Sequence, residues 1–131
     1  SDAACVKVFS ALGHGSLEKL TKLTLFNNAI ADAGCKALAR AAANGAMKRL
    51  AFLSLSTNLI NDVGVLALAT ALRDGALPEL ETLCIGYNAF SDAAREVICQ
   101  TCKERNIICK KDRFGEALLE DRVGTERGTG R

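Results

Sequence analysis

Apolar residues alternate with polar or small ones at three places in this chain: Leu23 and Leu25, Leu53 and Leu55, and Leu83 and Ile85. That alternation is the period of a half-buried strand. A pattern of longer period follows each of them. Gly34, Leu38, Ala41 and Ala42 fall on one face of a helix, and so do Gly64, Leu68, Ala71 and Leu72. An Asp opens each helical stretch, at Asp32, Asp62 and Asp92, where a carboxylate suits a helix N-cap. Asn44-Gly45 and Asp74-Gly75 close two of the helices, because Gly accepts the left-handed backbone of a helix C-terminus. His14-Gly15 takes that place in the first unit, which gives His14 a capping role rather than a catalytic one. The predicted unit is a short strand, a loop, a helix and a return loop.

The unit repeats at a constant offset of 30 residues. Leu20-Thr-Lys-Leu23-Thr-Leu25-Phe-Asn-Asn28 recurs as Leu50 to Asn58 and again as Leu80 to Asn88. Ile30, Ile60 and Phe90 align, as do Leu38, Leu68 and Ile98. Ser1-Asp2-Ala3 matches Ser91-Asp92-Ala93, so the chain opens at a helix with its strand missing. The expectation is a segment of a longer solenoid, about three and a half units over residues 1–109, with a charged, Gly-containing and mostly disordered tail over 110–131. Within that tail, 116–122 is expected to form a short helix with Leu118 and Leu119 on one side. The Asn at each strand end, Asn28, Asn58 and Asn88, is placed to form a ladder of amides between neighbouring turns. Strands stack about 4.8 Å apart and helices about 8–10 Å apart, so the stack must curve with its strands inside. The fold class expected is therefore α/β, a right-handed superhelix with parallel strands on the concave face and helices on the convex face. The last unit departs from the others. It has Ala94-Arg95 in place of Gly-Cys or Gly-Val, ends in Arg105-Asn106, and is followed by Ile107-Ile108-Cys109, read as a closing edge strand.

The pattern Leu-x-x-Leu-x-Leu-x-x-Asn-x-Ile-x-Asp-x-Gly-x-x-x-Leu resembles the ribonuclease-inhibitor-like leucine-rich repeat over residues 1–109. That class includes ribonuclease inhibitor, the sensor regions of NOD-like receptors and the GTPase-activating protein of Ran. The resemblance implies a horseshoe segment and a non-catalytic protein-interaction scaffold. A regulator of a small GTPase and an immune sensor stay open as alternatives, because function in this class sits on variable surface positions of a shared scaffold.

Composition narrows the chemistry. The net charge of +2 gives no basic stripe for nucleic acid, and no apolar run reaches the roughly 18 residues that span a bilayer. One His and no phosphate-binding Gly-x-x-x-x-Gly-Lys loop leave no constellation for an enzyme, a cofactor or a small-molecule substrate. Cys99-x-x-Cys102 with Cys84 and Cys109 has the donor set of a four-thiolate zinc site. Cys99 aligns with Ala39 and Ala69, however, and Cys102 with Ala42 and Leu72, so these thiols read as small core residues and no metal is expected. Six Cys without a secretory leader or a glycosylation sequon read as reduced thiols of a cytoplasmic chain.

Function is therefore expected on the concave strand face. Its candidate contact residues are Lys22, Thr24, Phe26, Phe52, Ser54, Ser56, Glu81, Thr82 and Tyr87. Phe26, Phe52 and Tyr87 are half of the six aromatics in the chain, and aromatic anchors among small polar neighbours suit a protein partner.

Overall fold

The computed structural model describes residues 1–111. Helices and strands alternate in the order α1 (Asp2–Ser10), β1 (Lys22–Thr24), α2 (Asp32–Ala43), β2 (Phe52–Ser54), α3 (Asp62–Arg73), β3 (Thr82–Cys84), α4 (Asp92–Glu104) and β4 (Ile108–Lys110). The strands form one four-stranded parallel sheet in chain order. Lys22 lies opposite Phe52, and Phe52 opposite Thr82, which is the sequence offset made physical. Every unit crosses from strand through helix to the next parallel strand, as a β-α solenoid requires. The helix and the tail ending expected within 112–131 lie outside the described residues.

The core is a single layer between sheet and helices. Leu53, Leu55, Leu83 and Ile85 enter it from the strands, Leu38, Leu68, Leu72 and Ile98 from the helices, and all are fully buried. Leu20, Leu23 and Leu25 of the first unit are only half-buried, because among the described residues β1 pairs with β2 alone. Ala41, Ala42, Ala69 and Ala71 are buried at the helix contacts, where small side chains let consecutive helices approach.

Hydrogen bonds between units hold the turns in register. The Asn58 amide donates to Leu25 O at 2.9 Å and Leu55 O at 3.0 Å, while its Oδ1 accepts from Asn28 N and Ile30 N, both at 2.9 Å. Asn88 repeats the bridge, donating to Leu55 O at 2.9 Å and accepting from Ile60 N at 3.0 Å. The expected amide ladder is present at Asn58 and Asn88, while among the described residues the Asn28 amide donates only to Phe26 O of its own unit at 3.1 Å.

The aspartates cap helices, but not their own. Asp2, Asp32 and Asp62 each occupy the first helical position, and their carboxylates reach the next unit, whereas Asp92 lies 3.9 Å from Arg95 of its own helix. Asp2 Oδ1 accepts from Ala31 N at 2.9 Å and Gly34 N at 2.6 Å. Asp32 Oδ1 accepts from Asn61 N at 2.8 Å and Gly64 N at 2.9 Å. This explains Gly34 and Gly64: a Cβ on Gly64 would stand 2.6 Å from Asp32 Oδ1, and one on Gly34 would collide with Asp2 Oδ1. It also explains Ala94. Here Ser91 caps its own helix, its Oγ accepting from Ala94 N at 3.2 Å, and Asp62 binds Ser91 N and Oγ at 2.7 and 2.8 Å instead. With no carboxylate over the third position, a methyl group fits. Ser1 and Ala4 form the same self-capped pair.

Two helix ends differ from expectation. Helix α1 stops at Ser10 with Ala11 as its C-cap, so His14 lies in the following loop and caps nothing there. Helix α4 runs one residue longer than α2 and α3, and Asn106, at φ 58°, takes the left-handed position that Gly45 and Gly75 hold in theirs. Ile107 N then donates to Cys102 O at 2.8 Å, as Ala46 N does to Ala41 O at 3.0 Å. The closing strand therefore begins at Ile108 rather than Ile107. Arg105 completes the cap: its guanidinium donates to Leu72 O, Ala76 O and Leu77 O at 2.9, 2.6 and 2.8 Å. The equivalent carbonyl two units earlier, Ser16 O, accepts from the next return loop through Met47 N at 2.9 Å. Arg105 supplies that donor where the described residues hold no such loop.

Candidate interaction face and the C-terminal thiol cluster

Strand register sets the outward side chains in rows. Lys22, Phe52, Thr82 and Ile108 form one row across the sheet, and Thr24, Ser54, Cys84 and Lys110 form the next. Phe26, Ser56 and Gly86 follow at the same offset. The inward partners are Leu23, Leu53, Leu83 and Cys109.

Lys22, Thr24 and Glu81 are exposed, and Phe26, Phe52 and Thr82 are half-buried. Lys22 Nζ lies 5.0 Å from the centre of the Phe52 ring, a cation–π contact across β1 and β2. Tyr87 is 60% exposed and stands at φ 58°, matching Asn27 and Thr57 at the ends of the other strands. A left-handed Tyr or Thr is strained backbone, of the kind held by a surrounding hydrogen-bonded turn. Thr57 N, for example, donates to Gly86 O at 2.8 Å.

Two expected contact residues are not accessible. Ser54 and Ser56 are 2% and 0% exposed. Each has a side chain of one carbon and one oxygen in the middle of the stack, with Thr24 and Cys84 flanking Ser54 in register. Their hydroxyls find no hydrogen-bond partner among the described residues. They floor the face and offer it no reach. The sequence reading also missed Ile108 and Lys110. Ile108 was assigned to a strand closing the core, yet it is 59% exposed and continues the outward row. The alternation of Ile108 with Cys109 carried that signal.

Cys99 on α4, Cys102 one turn later and Cys109 on β4 converge behind the sheet. The Cys99 and Cys109 sulfurs are 3.5 Å apart. The Cys99 thiol is lowered to about 6, first by a hydrogen bond from Cys109 and then by Lys111 and Arg95, against burial and Glu96, which raise it. The Cys102 thiol is lowered by a hydrogen bond with the same Cys109. Cys109 has one proton and can donate it to one sulfur at a time. Cys99 has two cations beside it. Cys109 is raised, first by its hydrogen bond with Cys102, then by that with Cys99 and by burial. Cys84 stands in the outward row, on the other side of the sheet from Cys109, so the four thiols do not form one site. Among the described residues no group of three or more His, Cys, Asp or Glu side chains is arranged to hold a metal ion. Elsewhere, burial lifts the Cys35 thiol to about 12, while its Sγ donates to Gly64 O at 3.3 Å. His14 lines a cleft of about 360 Å³ between return loops, with Asn44, Lys48, Asp74 and Pro78. No Ser, Thr or Cys among the described residues lines it.

A family model described as Leucine Rich repeat matches residues 16–39. That span covers the first return loop, β1, the Asn28 turn and the first part of α2. The described residues have the fold of a leucine-rich repeat solenoid. No curated protein matches it in sequence. The leucine-rich repeat architecture presents a rigid parallel sheet whose outward residues vary without disturbing the core, which suits it to holding other proteins. No helix among the described residues is long and apolar enough to cross a membrane.

Proposed function

We propose that this chain is a non-catalytic protein-interaction module that seats its partner on the concave strand face. The observation that carries the reading is the row Lys22, Phe52, Thr82 and Ile108, with Phe26 and Tyr87 beside it. Apolar and aromatic surface at its centre is rimmed by Lys22, Glu81 and Lys110, the anatomy of a protein contact rather than of a nucleic-acid, membrane or small-molecule site. The strands are fixed by the amide ladder, so little ordering entropy is lost on binding. Four strands span roughly 14 Å, less than a standard interface of about 800 Å² per partner needs. The half-buried Leu20, Leu23 and Leu25 support a stack continued by further repeats, which would widen the face. The helix in every 30-residue unit supports the ribonuclease-inhibitor-like class, and six free cysteines among the described residues support a cytoplasmic setting.

The test compares partner capture by the wild-type chain, a Lys22→Glu/Glu81→Lys variant and a Phe26/Phe52/Tyr87→Ala variant. Both variants are first shown to keep the wild-type urea midpoint within the range expected for surface change. The charge-reversed pair, whose residues are exposed, guards against a folding artefact in the aromatic variant. Loss of capture by both supports the concave face, and unchanged capture by both rejects it.

A further inference from the structure

The stack does not call for thiols where α4 meets β4. Positions equivalent to Cys99 and Cys102 hold Ala39 and Ala42 in one unit and Ala69 and Leu72 in the next, and Cys109 takes the register place of Leu83. Yet three thiols meet there, two of them with sulfurs 3.5 Å apart. Cys99 and Cys109 are half-buried, whereas Cys5, Cys35, Cys84 and Cys102 are buried. A small oxidant therefore reaches the adjacent pair before it reaches the others. The pair also joins two elements, and among the described residues β4 is paired with β3 alone. An edge strand can yield the short movement that takes two sulfurs from 3.5 Å to the roughly 2.05 Å of a bond.

We propose that Cys99 and Cys109 form a peroxide-oxidisable thiol pair, in which a hydroperoxide converts the two thiols into an intramolecular disulfide joining α4 to β4. Cys99 is the attacking group. Its thiolate attacks the terminal oxygen of the hydroperoxide, an S–O bond forms as the O–O bond breaks, and the other oxygen departs with a proton as alcohol or water. Cys99 is then a sulfenic acid. Cys109 gives its proton to solvent and attacks the Cys99 sulfur, the S–O bond breaks, and hydroxide leaves as water. In sum two thiols lose two electrons and two protons, and one hydroperoxide becomes one alcohol and one water.

The charges around the pair fit that division of labour. Arg95 and Lys111 favour the Cys99 thiolate and Glu96 opposes it, while Cys109 keeps its proton until its partner is oxidised. Arg105, which acts on Cys102, is held by three carbonyls of the preceding unit. Cys102 shares Cys109 as a partner but is fully buried, which removes it from the first step.

The experiment treats the reduced full chain with one equivalent of tert-butyl hydroperoxide, blocks remaining thiols, and maps tryptic peptides without reduction. Cleavage leaves Cys99 and Cys102 on peptide 96–103 and Cys109 on peptide 106–110. The expected product is the linked pair of these peptides, with fragmentation placing the bond at Cys99. It persists in Cys102→Ser and is lost in both Cys99→Ser and Cys109→Ser. The wild-type map stands without the variants should one of them not fold. A bridge within peptide 96–103, disulfides only between chains, or unreacted thiols would each overturn the proposal. A parallel arm adds zinc(II) to the reduced chain before the peroxide. One zinc retained per chain through gel filtration, with the thiols shielded, would assign the cluster to a metal and overturn it equally. No retained zinc and the same linked peptides support it.

Discussion

Removing one carboxylate in the middle of the stack should cost much more than removing its neighbour one unit on. Helix α3 has no side-chain cap of its own, so Asp32 alone serves its first turn. Its Oδ1 accepts from Asn61 N at 2.8 Å and Gly64 N at 2.9 Å. The Asn61 amide is near solvent and water replaces much of its bond. The Gly64 amide is buried and is left without an acceptor, at a cost of about 1–3 kcal/mol, and the lost charge at the helix N-terminus adds about 0.3–1 kcal/mol. Asp32→Ala should therefore lower stability by about 2–3 kcal/mol. Asp32→Asn, which keeps an oxygen and loses the charge, should cost about 1 kcal/mol. Asp62→Ala should cost clearly less than Asp32→Ala, because Ser91 Oγ still accepts from Ala94 N and caps α4. Urea denaturation with a common m value measures all three. Gly64→Ala supplies a cross-check, since its Cβ meets Asp32 Oδ1 at 2.6 Å but also Ile60 at 3.0 Å. Its cost should fall, without vanishing, in an Asp32→Ala background. If Asp62→Ala costs as much as Asp32→Ala, the carboxylates are not inter-unit caps of the kind described.

Asn58→Ala should cost about 3 kcal/mol or more, since it strands buried groups in two units, whereas Asn28→Ala, which loses an exposed bond to Phe26 O, should cost far less; thermal melts compare them. Arg105→Ala should cost about 2–3 kcal/mol and Arg105→Lys should recover only part of it, because an ammonium cannot reproduce the planar fork on three carbonyls; the same melts decide it. The Asp62 carboxyl is held below the ordinary carboxylate range, chiefly by the Ser91 backbone N–H and then by the Ser91 hydroxyl. Its contribution is therefore present above the unfolded carboxyl range near pH 4 and is lost as pH falls through the lower folded value, and Ser91→Ala should flatten that acid loss in urea midpoints taken from pH 7 to 3. Iodoacetamide should alkylate Cys99 with a midpoint near pH 6, about where its thiol stands, and Cys109→Ser should shift that midpoint.

The periodicities made the architecture legible because strand and helix each leave a distinct spacing, and a unit repeated at constant offset fixes register without any long-range inference. Strand rows, parallel pairing, the amide ladder and the inner position of the strands all follow from it. Partner identity within the ladder did not. The aspartates read as caps, but a carboxylate that reaches the next turn has the same sequence signature as one that caps its own, and only Gly34, Gly64 and their absence at Ala94 carried the difference. Ser54 and Ser56 read as exposed because alternation gives the side of the sheet a residue faces, not whether a short side chain reaches solvent between its neighbours. Ile108 was misplaced for a related reason. The repeat breaks at Arg105, so the offset no longer applied and the alternation of three residues was too short to set the face. The thiol cluster was hidden by the same break: Cys109 meets Cys99 only because the last return loop is shortened.

The concave face is tested most directly by matched capture experiments on its two sides. A Phe26/Phe52/Tyr87→Ala chain is set beside one with Leu59, Val63 and Leu66, exposed outside the strand rows, changed to Ser. Loss of partner capture in the first with retention in the second is the predicted result. Retention in the first with loss in the second would move the binding site off the strands and contradict the function proposed for this chain.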